Sequence, residues 1–151
     1  MNYEITLEKF TDTYRELEPL YRQHYSEMLE RLKNDGVEHH SPFNPRLDEY
    51  ARASEGGWLL TFVLRLEGKA VGYSNVYVTN DMHNQDLICQ EDAIFVLKEH
   101  RNGVGKKLVR WILEDLRKRG VKRVLVSAMT DLRVAKLWRR MGFKDVATQM
   151  I

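Results

Sequence analysis

The apolar positions change period several times along the chain. Residues Asn2 to Leu7 alternate between polar and apolar side chains and predict a first strand. From Phe10 to Lys33 the period lengthens: Phe10, Tyr14, Leu17, Tyr21, Tyr25, Met28 and Leu32 recur every three or four residues, as on one face of a helix. Pro19 interrupts that stripe, so either the helix kinks there or a second helix begins with Pro19 in its first turn. Asn34-Asp35-Gly36 ends the helix, and Val37 to Asn44 reads as a loop. Asn44-Pro45 predicts the cap of a short helix reaching about Ser54. Beyond the break at Gly56-Gly57, Trp58 to Leu66 and Ala70 to Thr79 read as strands joined by Glu67-Gly68-Lys69, a hairpin signal. A polar loop, Asn80 to Asp86, leads to the next strand, Leu87 to Val96. Leu97 to Asn102 is a short basic turn. The helix after it runs from Gly103 to Arg119, with Val104, Leu108, Trp111, Ile112 and Leu116 on one face and Gly120 closing it. Val121 to Val126 predicts a short strand, Asp131 to Met141 a last helix, and Phe143 to Ile151 has room for one more strand.

Composition adds little to this pattern. A chain of 151 residues, 43% hydrophobic and 30% charged, is expected to form one domain over residues 1–151. Its single cysteine, Cys89, leaves no internal disulfide framework and suits a reducing, cytoplasmic setting. Neither a membrane helix of about 20 apolar residues nor a signal peptide is legible. His39 and His40 are adjacent but lack a carboxylate at ligand spacing, so no metal is expected.

Charge is more informative. Residues 98–144 hold fifteen Lys or Arg against four Asp or Glu, a net of +11, whereas residues 1–97 carry a net of −8. The basic half suits a polyanion and the acidic half a cationic partner such as an amine. Nucleic acid is a polyanion too, but its binding surfaces interleave exposed aromatics with basic residues. Trp111 and Phe143 fall on apolar faces, which argues against nucleic acid.

The stretch from Glu91 to Arg119 carries the candidate chemistry. A strand feeding a glycine-containing turn and then a helix builds an anion site, because the first N–H groups of a helix lack internal partners and sit at the positive end of its dipole. Gly103 and Gly105 keep side chains away from that point, and Arg101, Lys106 and Lys107 add charge. A P-loop is excluded: His100 stands where its first Gly belongs and Lys107 where Ser or Thr is required. A dinucleotide fingerprint is excluded by Leu108 in place of the third Gly.

The segment from Glu91 to Leu108 resembles the acetyl-CoA-binding motif of the GNAT superfamily of N-acetyltransferases, a strand ending in Val followed by Q/R-x-x-G-x-G/A opening a helix. Gly103 and Gly105 match the glycines, and His100 falls in the Gln or Arg slot with Arg101 beside it. Leu137-Trp138-Arg139-Arg140-Met141-Gly142-Phe143 is similar to the family's L-Y-x-x-x-G-F, with Asp131 where Asn is usual, and Gly68 to Tyr73 resembles a segment of its third strand. The resemblance covers residues 57 to 143 best.

It implies an α/β fold whose central mixed, mostly antiparallel sheet contains a splayed parallel strand pair, with helices on both faces. It implies acetyl-CoA as cosubstrate, no metal, and acetyl transfer to a primary amine on a small molecule or peptide. Cofactor contacts are expected from Phe95, Val96, His100, Arg101, Asn102, Gly103, Val104, Gly105, Lys106, Asp131 and Trp138. The splayed strands would be those ending at Val96 and Val126, with a backbone N–H near Phe95 or Val96 as oxyanion donor. Glu91 and Asp92 are the candidate bases, only one of which can face a given cleft, with His83 and Tyr73 behind them. Trp138 stands where the family has a tyrosine that can act as an acid, and an indole N–H only donates a hydrogen bond. That departure keeps a noncatalytic CoA-binding module open as an alternative. Family members often carry two strands after the last helix and some pair as homodimers; this chain is shorter at that end.

Overall fold

The computed structural model describes residues 2–38, 40–128 and 132–150. Five strands form one sheet in the order β1-β2-β3-β4-β5: β1 Tyr3–Glu8, β2 Leu59–Leu66, β3 Lys69–Asn80, β4 Leu87–Val96 and β5 Arg123–Leu125. The first four pair antiparallel in chain order, and β5 runs parallel to β4. Helices α1 (Phe10–Asn34) and α2 (Leu47–Glu55) cover one face, and α3 (Val104–Lys118) covers the other, while α4 (Leu132–Arg140) follows β5. The sheet therefore separates two cores. Leu17, Leu59, Val63, Tyr73 and Phe95 pack beneath α1 and α2. Phe62, Leu64, Cys89, Leu108 and Leu116 pack beneath α3.

Local sequence accounts for most of these elements. Six consecutive residues of β2, Leu59 to Leu64, are buried because both of its faces are covered. Across Pro19 the first helix runs on unbroken. A proline inside a helix costs about 3 kcal/mol. Here it lies on the exposed side, where water can reach the carbonyl it leaves unpaired, while Leu17, Leu20 and Tyr21 are buried on the opposite side. Each such burial contributes roughly 1.5–3 kcal/mol, so the stripe outweighs the break.

Three sequence expectations are corrected. Asn44 does not cap α2, which begins at Leu47 after a turn in which the Leu47 N–H donates to the Pro45 carbonyl at 3.0 Å. The short strand shrinks to Arg123–Leu125, since beyond Leu125 it leaves β4 and loses its ladder. No strand follows α4 among the described residues: Phe143–Met150 is irregular, and Val146 and Met150 are exposed. Phe143 packs edge-on to Trp138 at 5.3 Å and Asp145 pairs with Arg139 at 2.8 Å, but with Val146 and Met150 exposed the segment has little apolar area with which to hold a strand.

Candidate active site

Two features of β4 build the site. Its parallel pairing with β5 covers only Ile88, Cys89 and Gln90, opposite Arg123, Val124 and Leu125. From Glu91 onward the strands part, which opens the β5 side of β4. Which backbone groups are exposed there follows from the β3 ladder. The Leu97 N–H donates to the Val71 carbonyl at 2.9 Å, so Leu97, Phe95 and Ala93 point their polar groups at β3. Ile94 and Val96 point theirs into the opening. The expected oxyanion donor thus narrows to Val96 and its neighbour Ile94, and the Phe95 N–H is directed at β3.

The second feature is a bulge. Asn75 opposes Ala93 and Val76 opposes Glu91, which leaves Asp92 as the extra residue. A bulge breaks the strict alternation of faces. Asp92 and Ala93 both line a cavity on the α1–α2 side, while Glu91 borders the core beneath α3. The two acids, adjacent in sequence, work on opposite sides of the sheet.

The cavity that Asp92 enters has a volume of about 190 Å³ and is walled by α1, α2 and the segment before it, β3 and β4. Phe10, Tyr14, Tyr21, Tyr25, Phe43 and Tyr50 supply most of its wall. The Tyr50 hydroxyl donates to Asp92 at 3.1 Å. The surrounding side chains raise the Asp92 carboxyl above its ordinary range, tempered by that hydrogen bond, although the residue stays exposed to solvent at the cavity mouth. His24 Nδ1 hydrogen-bonds the Tyr73 hydroxyl at 2.8 Å and its ring stacks on Phe95 at 5.1 Å. Burial first, and the Arg31 charge second, push His24 down to about 4, so it is neutral near pH 7. Asn75 donates to the Tyr21 hydroxyl and accepts from Thr61, which fixes its amide at the cavity floor.

On the other face, Glu91 is held against Ser127, whose backbone N–H and hydroxyl both hydrogen-bond its carboxylate. Burial dominates nonetheless, and with the Asp92 charge it pushes Glu91 up to about 7. The Ser127 carbonyl accepts the indole N–H of buried Trp138 at 3.2 Å. Trp138 therefore joins α4 to the strand end that leaves β4, and its one donor is in use.

The turn after β4 is tied down from both sides. The Arg101 Nε donates to the Val96 carbonyl at 2.5 Å, its guanidinium pairs with Glu27 of α1 at 3.0 Å, and it lies over the Phe95 ring at 5.1 Å. His100 Nδ1 hydrogen-bonds the Tyr3 hydroxyl of β1 at 2.9 Å. Both side chains thus anchor the turn to the sheet and to α1. The α3 terminus behind it is the accessible part. Gly103 caps it at φ 99°, a left-handed conformation that glycine adopts without strain. A side chain at Gly105 would meet open space, and Lys106 and Lys107 follow. The N–H groups of Val104 and Gly105 have no helical carbonyl behind them. Asn102 is exposed beside them. Asp131 lies outside the described residues. Among those residues no three His, Cys, Asp or Glu side chains gather to hold a metal.

The period of the aromatic stripe of α1 is that of a core face, and Phe10, Leu17 and Tyr21 are buried, but Tyr14, Tyr21 and Tyr25, with His24 beside them, also face the cavity. The signal was their polar tips: a stripe of tyrosines, unlike one of leucines, brings hydroxyls that need partners or water.

Comparison with known proteins agrees with this fold. The family model described as the acetyltransferase (GNAT) family matches residues 9–143, and the chain belongs to that family. A search of curated proteins finds no match. Solved structures align over nearly the whole chain. An aminoglycoside acetyltransferase from an uncultured soil metagenomic sample is similar at a TM-score of 0.76 and 17% identity, over 100% of this chain and 97% of that one. AAC(6')-Iy in complex with a CoA-containing bisubstrate analogue gives 0.74 at 16%, over 100% and 97%. The ribosomal-protein-alanine N-acetyltransferase of Brucella melitensis biovar Abortus 2308 gives 0.70 at 17%, over 99% and 98%. At such identities the likeness is one of fold. No helix among the described residues is long and apolar enough to cross a membrane.

Proposed function

We propose that this chain is an N-acetyltransferase that moves the acetyl group of acetyl-CoA to a primary amine, working in the cytoplasm, where Cys89 stays reduced. The observation that carries this reading is the pairing of the opened β4 edge at Ile94 and Val96 with a carboxylate, Asp92, that the bulge turns toward the adjoining cavity. Acetyl-CoA would supply an activated thioester acyl group. The residues present fit it: the Val104 and Gly105 N–H groups, the open surface over Gly105, and Lys106 would receive phosphate, and the parted strand edge would receive the extended arm.

Asp92 takes the proton of the acceptor ammonium, and its raised pKa suits it to that exchange. The freed nitrogen adds to the acetyl carbonyl carbon, the carbon–sulfur bond then breaks with its electron pair leaving on sulfur, and the proton shed by the new amide nitrogen passes to that thiolate. The Val96 N–H stabilises the oxygen that gains charge, a contact whose loss typically costs about 3 kcal/mol. Glu91 faces the other core; its part in this reading is to hold Ser127 across the gap between the strands.

A second reading, a CoA-binding module without catalysis, is favoured by one observation: the family's phenol is replaced by Trp138, whose N–H is spent on Ser127. One pair of measurements separates the two. Calorimetry with CoA and thiol release over a panel of primary amines should show binding and turnover together. Binding with no turnover on any amine selects the module, and absence of CoA binding removes both.

A further inference from the structure

We infer that the acceptor held in the Asp92 cavity is a small primary amine with one positive charge and a flat apolar body, of which arylalkyl amines are the simplest kind. This rests on the acetyl-transfer reading above and names its acceptor. Charge is the first ground. Among the described residues lining the cavity, Asp92 is the one acid, and the lining includes no Lys or Arg. One carboxylate matches one ammonium; a second or third cationic centre would rest against rings with no anion to meet it.

The wall is the second ground. Phe10 stacks on Tyr50 at 4.9 Å, Tyr14 on Tyr21 at 5.6 Å, and Tyr25 packs on Phe43 at 5.6 Å, so rings of α1, of α2 and of the segment before α2 together line the cavity. Four of its five phenols already have protein partners. Tyr50 donates to Asp92, Tyr25 donates to the Ser41 carbonyl at 2.6 Å, Tyr21 accepts from Asn75, and Tyr73 is paired with His24. A sugar hydroxyl entering here would give up water and find few free donors or acceptors. A flat hydrocarbon gives up little and gains ring contacts, and an ammonium beside those rings gains from their electron-rich faces as well.

Size is the third ground. An apolar cavity of about 150 Å³ accommodates benzene. About 190 Å³ leaves room for one ring and a short aminoalkyl chain, with the amine at Asp92 next to the parted strand edge and the ring toward Phe43. A polycyclic aminoglycoside would have to stay largely outside.

The test compares 2-phenylethylamine, kanamycin and a lysine-containing peptide as acceptors by thiol release. It adds calorimetric titration of 2-phenylethylamine into the CoA-saturated protein and into its Asp92→Asn variant. The inference expects kcat/KM for 2-phenylethylamine at least about tenfold above the other two, and an affinity that falls about tenfold or more in Asp92→Asn, near the size of one desolvated charge contact. Phe43→Ala, which removes one ring of the cavity wall, should weaken the same binding while leaving CoA affinity unchanged. Preferred turnover of kanamycin or the peptide overturns the inference and leaves the transferase standing. Asp92-dependent binding without turnover upholds the cavity's ligand class and sinks the transferase. Undetectable binding, or binding indifferent to both substitutions, overturns the inference.

Discussion

Glu91→Gln should make the protein more stable, and the gain should depend on pH. The Glu91 carboxyl is half-buried against the α3 core and pushed up to about 7, although Ser127 gives it two hydrogen bonds. In the unfolded chain it titrates near its ordinary value of 4.5. Below about pH 4.5 the group is protonated in both states and folding is indifferent to it. As pH rises through 4.5 the unfolded chain releases the proton and the folded chain does not, so stability falls until the folded carboxyl ionises at about 7. The gap between the two values corresponds to about 3 kcal/mol, lost between those limits and absent below them. Glutamine keeps an oxygen for the Ser127 N–H and carries no charge. The variant should therefore match the wild type at about pH 4.5 and exceed it by up to about 3 kcal/mol at about pH 8, or by up to about 10 °C in Tm for a chain of this length. Asp92 is also raised and pushes the wild type in the same direction; its own contribution is present in both proteins, and its repulsion of Glu91 is part of what the variant relieves. Urea unfolding of the pair across this pH range reads the difference directly. A gap that stays constant with pH, or a wild type that gains on the variant as pH rises, would refute the burial argument.

Asp92→Asn should lower kcat by about 10²-fold or more with CoA affinity unchanged, and should abolish the acidic limb of the wild-type rate profile, which lies above the ordinary carboxylate range because the surrounding side chains raise the group. Gly105→Leu should separate stability from binding: the fold should be unharmed, since the added side chain meets nothing at the first turn of α3, while calorimetric CoA affinity collapses. Unchanged affinity in that folded variant would move the cosubstrate site elsewhere. Gly103 is a poorer probe, because its φ of 99° strains any replacement. Trp138→Phe should keep most activity, since the indole N–H serves Ser127 and not the chemistry, whereas Trp138→Ala should cost about 3–5 kcal/mol of stability in denaturant titration.

Much of the fold was legible because the periods were long and clean. The first helix, the hairpin between β2 and β3, and β4 at Leu87–Val96 follow from apolar spacing and turn residues alone. The motif glycines marked the α3 terminus for the reason that applies there, a left-handed cap at Gly103 and an unobstructed approach at Gly105. What spacing could not reveal was the bulge. Alternation says that Glu91 and Asp92 face opposite ways, but which acid meets which helix layer depends on whether a residue is skipped against β3, and that is settled by pairing between strands. A related limit applies to His100 and Arg101: their pairing with Tyr3 and Glu27, about 97 and 74 positions away in sequence, cannot be read from local spacing. The far end of the chain carried too few β-favouring residues to decide between strand and irregular structure, and it is irregular.

The division of the interior by a single sheet has an evolutionary consequence. Tyr14, Tyr25 and Phe43 border the Asp92 cavity from the N-terminal third of the chain, and none belongs to the packing beneath α3. Drift at those positions can recut the cavity without disturbing the helix terminus that would receive the phosphates or the strand edge that would hold the thioester. Acceptor choice can diversify quickly in such a lineage while the machinery around Val96 and Gly105 stays fixed. Laboratory evolution of new amine specificities has the same short path open to it, through saturation of a few aromatic positions that lie almost wholly before residue 50.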